Sequence, residues 1–217
     1  MKTKPFVLAV VGGSASGKTR LAHALADHFA GHAAYVIPED DYYVDAGNQP
    51  GFSASSFNFD EPAAKDHDLL ASHLAALREG QPVEAPQYDF TTHCRKGETV
   101  VRGPAAVLIV EGLHLLASPH LAAQFDLTVY VDACDTTRLA RRIQRDVAER
   151  GRTADFARQQ FEEIVRPMHD LHVEPQRDAA DLVVENMGAP DFDSLARPVV
   201  ERIELAQPSS QDPATDR

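Results

Sequence analysis

The chain has 217 residues, 43% of them apolar and 25% charged, and a formal net charge of −12. That composition suits one globular domain, with room for a small lid and enough length to bury a core. The acidity argues against a nucleic-acid polymer or an anionic membrane as partner, so any anionic ligand must be met by locally concentrated positive charge. Two cysteines, Cys94 and Cys134, follow no metal or redox spacing and suit a reducing cytoplasm. The basic start, Met1 to Lys4, precedes an apolar run, Phe6 to Val11, that is shorter than a signal-peptide core, and no stretch has the length of a membrane span. A soluble, cytoplasmic protein is the expectation.

In chain order, the first strand is expected at Phe6 to Val11 and the first helix at Arg20 to Phe29. Between them stands Gly12-Gly13-Ser14-Ala15-Ser16-Gly17-Lys18-Thr19. Strand, glycine-rich turn and helix at this spacing form the P-loop pattern G-x-x-x-x-G-K-[ST]. Gly12 and Gly17 admit conformations and approaches that a Cβ blocks. Successive N–H groups and the positive end of the helix then cradle a phosphate. Lys18 reaches the β- and γ-phosphates, and the Thr19 hydroxyl holds Mg²⁺.

Ala34 to Ile37 is a second short strand, ending in Pro38-Glu39-Asp40-Asp41-Tyr42-Tyr43. In open α/β sheets ligands sit outside the carboxyl ends of the strands, so these acids face the phosphates or the group that receives one. An Asp-rich turn accounts for the same residues more plainly. Residues 46–62 are rich in turn formers and carry Phe57-Asn58-Phe59-Asp60, which reads as a packed loop anchor or as a ligand contact. Asp66 to Arg78 has helical apolar spacing.

Residues 82–102 break the α/β rhythm. Two β-like runs, 82–90 and 98–102, flank Thr91 to Gly97, as in an inserted β-hairpin whose tip carries His93, Cys94, Arg95 and Lys96. A solvated basic loop tip is the plainer reading of those four. Ala105 to Val110 reads as a strand buried on both faces, and the following Glu111 suits a Mg²⁺-holding carboxylate. Asp126 to Val131 supplies another strand.

From Thr136 to Arg150 the pattern is helical. Arg138, Arg141, Arg142 and Arg145 share one face, and Leu139, Ile143 and Val147 fall on another by which the helix packs. Such a row is either a solvated stripe or a phosphate reader, and arginine is the residue suited to the second role. Gly151 ends the helix. Asp155 to Val173 reads as a further helix kinked at Pro167, followed by a strand at Asp181 to Glu185 and a helix at Phe192 to Ala206. The polar segment 207–217 is expected to be disordered. Of the ten histidines, His28 with His32 and His169 with His172 have chelating spacing but no third ligand at a recognised distance, so they read as surface or packing residues.

These motifs together resemble the uridine kinase (uridine–cytidine kinase) branch of the P-loop kinases related to phosphoribulokinase. The resemblance runs from about Phe6 to Glu185. It rests on the P-loop, Pro38 to Tyr43, Asn58 to Pro62, Pro86 to Arg95, Val110 to Gly112 and Arg141 to Arg152. It implies a three-layer αβα P-loop NTPase fold over 1–206, with a parallel central sheet, the hairpin at 82–102 and an Arg-rich helical lid at about 136–172. It implies transfer of the γ-phosphate of ATP or GTP to the 5′-hydroxyl of uridine or cytidine, with Mg²⁺, in pyrimidine salvage.

By the same resemblance Asp40 is the general base; Asp41, a departure from the family's pattern, adds a second carboxylate beside it. Lys18 holds phosphate, Thr19 and Glu111 hold Mg²⁺, and Asp60 holds the ribose hydroxyls. Tyr43 and Phe59 line the same pocket, while Tyr88, Phe90 and His93 grip the pyrimidine. Arg142 and Gln160 contact ribose, and Arg145 and Arg152 are lid residues that meet the phosphates and the nucleoside. A homotetramer inhibited by CTP or UTP is implied as well. The nearest alternative is a pantothenate- or ribulose-phosphate-type kinase, whose acceptors offer no flat base to the aromatic hairpin. A GTPase-like switch wants an Asn-Lys-x-Asp motif, and no asparagine here is followed by lysine.

Overall fold

The computed structural model describes residues 4–48, 50–53, 57–188 and 191–206, so the segment 207–217 lies outside the described residues. In chain order the elements begin with β1 (Phe6–Gly12), α1 (Lys18–His28), β2 (Ala34–Pro38) and α2 (His67–Arg78). The insertion follows as β3 (Val83–Ala85), β4 (Tyr88–Asp89), β5 (Cys94–Arg95) and β6 (Val100–Arg102). The chain then continues through β7 (Val107–Gly112), α3 (Pro119–Ala122), β8 (Leu127–Asp132) and α4 (Asp135–Arg150). It finishes with α5 (Ala154–Gln160), α6 (Arg166–Met168), α7 (Gln176–Ala179), β9 (Leu182–Glu185) and α8 (Phe192–Ala206).

Five strands form one parallel sheet in the order β2-β7-β1-β8-β9. All seven residues of β1 are buried, which is why its sequence shows no apolar–polar alternation. Phe6, Leu8 and Val10 pack with Leu21 and Leu25 of α1 and with Val199 and Ile203 of α8. Val7, Ala9 and Val11 face the other way, onto Leu70, Leu74 and Leu77 of α2. Helices thus cover both faces, in three layers. Each of those wholly buried leucines contributes about 1.5–3 kcal/mol. Asp66 lies outside α2 as its cap, accepting from the Leu69 N–H at 3.1 Å. Among the described residues no helix is long and apolar enough to cross a membrane.

The insertion is antiparallel in two steps, β3 with β6 and β4 with β5. Its tip is tied back to the loop after β2. Gly47 donates to the His93 carbonyl at 2.8 Å, and Arg95 donates to the Tyr43 carbonyl and to Asp66, each at 2.9 Å. A Cβ on Gly47 would stand 2.5 Å from Cys94 Sγ, so the close approach needs glycine there.

Two expectations require correction. In α4 the apolar stripe is not the packing face: Arg138, Arg142 and Asp146 are buried, while Val147 is exposed. The helix turns its charged side inward because the phosphate loop and a carboxylate lie there. The helix expected from 155 to 173 is continuous but not simply kinked. It passes through π turns at Phe161–Val165 and His169–Val173, with Pro167 in the short α6 turn between them. Wider turns absorb a residue whose ring and missing N–H an α-helix does not accommodate.

Candidate active site

The phosphate loop connects β1 to α1 where the sheet register sets Val11 beside Gly112 and Gly12 beside Val131. Ala15 and Gly17 have positive φ, 63° and 98°. A Cβ on Gly17 would stand 2.4 Å from Asn186 Nδ2, and one on Gly13 would stand 2.5 Å from the Arg138 guanidinium. The loop is therefore braced from outside. Asn186, just past β9, donates to the Ser16 carbonyl at 2.7 Å, and Arg141 donates to Asn186 Oδ1 at 3.1 Å and to the Gly188 carbonyl at 2.7 Å. Ser14 and Lys18 keep partial exposure on the open side, and Thr19 is exposed.

Glu111 lies inside β7, not past its end, and is 7% exposed. It accepts from the Thr19 hydroxyl; burial pushes its carboxyl above the usual range, and Lys18 offsets only part of that. A buried carboxylate and a hydroxyl beside a phosphate cradle form an all-oxygen set that fits Mg²⁺. Among the described residues no group of three or more His, Cys, Asp or Glu has metal-holding geometry. The remaining positions around such an ion would fall to phosphate oxygens and water.

Asp40 occupies the 3₁₀ turn Glu39–Tyr42 after β2, whose last residue, Pro38, pairs with Glu111. Its side chain is half exposed and forms an ion pair with Lys65, which is wholly buried. Burial opposes the Asp40 charge, yet Lys65 outweighs it and Lys18 adds to it, so the carboxyl is held below its usual range. The adjacent acids point elsewhere. Asp41 accepts from the Tyr88 backbone in the hairpin, and burial pushes it upward. Glu39 is buried and accepts from the Leu113 N–H at 2.7 Å and from His67 at 2.8 Å. It leaves no room for a Cβ on Gly112.

Beyond Asp40 stands an aromatic wall. The Tyr43 ring is 5.0 Å from Tyr88, 5.7 Å from Phe59 and 6.4 Å from Phe90, and His93 stacks on Phe59 at 4.8 Å. Phe90 is 56% exposed, and the buried Tyr88 hydroxyl has no hydrogen-bond partner among the described residues. Phe52 and Phe57 extend the wall, packing on His93 and Phe59. Asp60 feels Arg142 and Lys65 as attractive charges, although burial dominates and raises its carboxyl.

The lid lies over these groups. Arg142 donates to the Ser14 hydroxyl at 2.9 Å and to Gln160 Oε1 at 2.8 Å, and Arg152 donates to the same Gln160 oxygen at 2.9 Å. Asp146, fully buried, collects Arg145 at 3.0 Å, Arg152 at 3.4 Å, and Arg142 and Arg150 at 3.6 Å. Arg145 and Arg152 thus stand around Asp146, while Arg142 reaches the phosphate loop through Ser14 and Arg141 reaches it through the Ser16 carbonyl at 3.3 Å. Val165, Met168 and His169 face Ser14, Asp60 and His114 across a narrow cavity. Sequence reasoning missed Asp146, Arg150 and Lys65, and it expected Glu39 to face the phosphates, whereas the fold turns Glu39 inward onto Leu113 and His67. The i, i+4 spacing of Arg142, Asp146 and Arg150 was the available signal for the first two.

Residues 7–193 match the model of the phosphoribulokinase / uridine kinase family. A uridine kinase of Listeria monocytogenes serotype 4a (strain HCC23) is 42% identical over 188 residues, covering 87% of this chain and 90% of that protein. A uridine kinase of Bacillus cereus (strain AH187) is 40% identical over 185 residues, covering 85% and 87%. Among solved structures, phosphoribulokinase from Rhodobacter spheroides superposes with a TM-score of 0.61 at 18% identity, over 89% of this chain and 74% of that one. That last likeness concerns the fold alone.

Proposed function

The chain belongs to the phosphoribulokinase / uridine kinase family, and from that premise we propose that it is a uridine/cytidine kinase. It transfers the γ-phosphate of ATP or GTP to the nucleoside 5′-hydroxyl, giving UMP or CMP. The observation that carries the reading is the placement of Asp40. A half-exposed carboxylate, held charged, lies within the field of Lys18 on one side and beside the Tyr43–Phe59–Tyr88 wall on the other.

In this reading the main-chain amides of residues 12–19 and Lys18 hold the triphosphate, and the carboxylate of Asp60 accepts from the ribose hydroxyls. Tyr43 and Phe59 flank the sugar. Tyr88, Phe90 and His93 receive the flat base, and the histidine ring serves as donor or acceptor toward a 4-amino or 4-oxo group. Asp40 accepts the 5′-hydroxyl proton as that oxygen bonds to phosphorus. Glu111 and Thr19 would hold Mg²⁺, which draws charge off the phosphate oxygens. Arg142, Arg145 and Arg152, with Gln160, complete the enclosure from the lid. A homotetramer is the assembly proposed, to be read by light scattering.

The test is a panel of acceptors with ATP and Mg²⁺: uridine, cytidine, purine nucleosides, pantothenate and ribulose 5-phosphate. Uridine and cytidine should stimulate ADP release and yield the 5′-monophosphates. Turnover confined to a non-nucleoside acceptor would overturn the reading.

A further inference from the structure

Among the described residues, Lys65 is the lysine whose side chain the fold buries completely against the proposed base. Its side chain is 0% exposed, and its ammonium pairs with Asp40 Oδ1. It also sits 3.5 Å from the centroid of the Tyr43 ring and 3.8 Å from Glu39 Oε2. Backbone contacts fix its place: Lys65 bridges to Tyr43, its N–H donates to the Pro62 carbonyl at 3.0 Å, and Asp66 donates to the Tyr42 carbonyl at 2.8 Å. Burying an ammonium is costly unless it is paired, and packing alone calls for no charge at this position.

Two carboxylates are within reach, and their situations differ. Glu39 is already satisfied by the Leu113 and His114 N–H groups and by His67, and it stands beyond hydrogen-bond distance of the ammonium. Asp40 makes the direct contact and is the one that projects half exposed into the site. The buried lysine is thus a platform carrying a single carboxylate outward. We infer that Lys65 is a positioning residue for phosphoryl transfer, clamping Oδ1 of Asp40 so that Oδ2 faces the acceptor hydroxyl.

This inference rests on the kinase reading above. In the step it serves, the hydroxyl O–H bond breaks and its proton passes to Oδ2 of Asp40. The hydroxyl oxygen bonds to the γ-phosphorus, and the bridging P–O bond breaks with its electron pair leaving on the nucleoside diphosphate. A lysine at Oδ1 makes Asp40 a weaker base. Transfer through a loose transition state depends on alignment more than on base strength, so a fixed carboxylate serves better than a stronger, mobile one.

The experiment is a double-mutant cycle on kcat at saturating substrates, using Lys65→Met, Asp40→Asn and the pair. Lys65→Met should lower kcat by about 10²-fold, the scale of a positioned base, with KM for ATP within a few-fold of wild type. Lys65→Arg should recover part of the loss. In the Asp40→Asn background Lys65→Met should cost less than about 3-fold, because the group it acts through is gone. A kcat near wild type in Lys65→Met overturns the inference, and so does an equal loss in both backgrounds. Melting temperatures are followed throughout; if Lys65→Met does not fold, Lys65→Gln takes its place in the cycle. The wild-type acceptor panel judges the kinase reading separately, and the cycle is run on whichever acceptor that panel identifies.

Discussion

Arg142 of α4 donates to the hydroxyl of Ser14 in the phosphate loop at 2.9 Å, across 128 positions of sequence. The same guanidinium donates to Gln160 of α5 and lies 3.6 Å from Asp146. One side chain therefore ties the loop to both helices of the lid, and a disturbance in the lid's charge cluster reaches the phosphate site.

Asp146→Asn tests that linkage. It removes the charge that four arginines share, three of which are 30–43% exposed at the side chain. Water takes up part of the loss, so the expected cost is about 2 kcal/mol, less than for a wholly buried pair. That corresponds to a fall in Tm of ~4–8 °C. KM for ATP should rise about 10-fold, the arginines no longer being held in register. A variant with wild-type KM and Tm would show that the cluster is ornamental.

Asp40→Asn keeps shape and removes the proton acceptor. The expected drop in kcat is ~10²–10⁴-fold. ATP affinity, measured by calorimetry, should stay within a few-fold, since the phosphate loop is untouched. Near-normal turnover would exclude Asp40 as the base.

Asp60→Ala should act on the other substrate. Losing two charge-assisted hydrogen bonds to a ribose raises the nucleoside KM by roughly 10–100-fold. Its effect on kcat should be far smaller, and an unchanged uridine KM would remove Asp60 from the sugar site.

Glu111→Gln keeps the buried volume and loses the charge. The Mg²⁺ concentration for half-maximal rate should rise about 10-fold, with full rate approached at high Mg²⁺. Chelation by EDTA should stop both enzymes. Identical Mg²⁺ curves would place the ion elsewhere.

Stability should also depend on acid. Burial above all pushes the rings of His114 and His169 down to about 4 from 6.5, and Arg138 adds to the effect at His169. Unfolded histidines take up protons below 6.5 while these do not, so between 6.5 and 4 the unfolded chain binds more protons. Stability is then complete above 6.5 and declines as pH falls toward 4. His114→Leu should lessen the loss between pH 7 and 5 by about 1–2 kcal/mol in urea titrations. Parallel wild-type and variant slopes would contradict the shift.

Much of this was legible because the main signals are local. The P-loop lies between an apolar run and a helix, the strands buried on both faces read as uninterrupted aliphatics, and α8 appears with the boundaries that its pattern predicts. What was hidden depends on partners distant in sequence. Lys65 stands beside Asp66 at a helix start, where a lysine ordinarily reads as solvated, and only the bridge to Tyr43 turns it inward. Asp146 follows Arg145 in a helix rich in charge, with no local sign that the fold buries it. Hydrophobic periodicity pointed α4 the wrong way, because that helix is held through ion pairs and the phosphate loop. Phe52 gave no spacing signal; the hairpin brings His93 to it and to Phe59.

The strand order has a bearing on how the molecule comes into being. β1 precedes every other strand of the sheet, yet both of its neighbours, β7 and β8, follow only after the helices and the hairpin in between. An emerging polypeptide therefore carries Phe6 to Val11 with no edge to pair against until Val107 and beyond have left the ribosome. Contacts of such long sequence separation make for slow folding and a sticky interval during translation. The residues of β1 that later anchor the catalytic loop are thus the ones a nascent-chain chaperone would be expected to cover first.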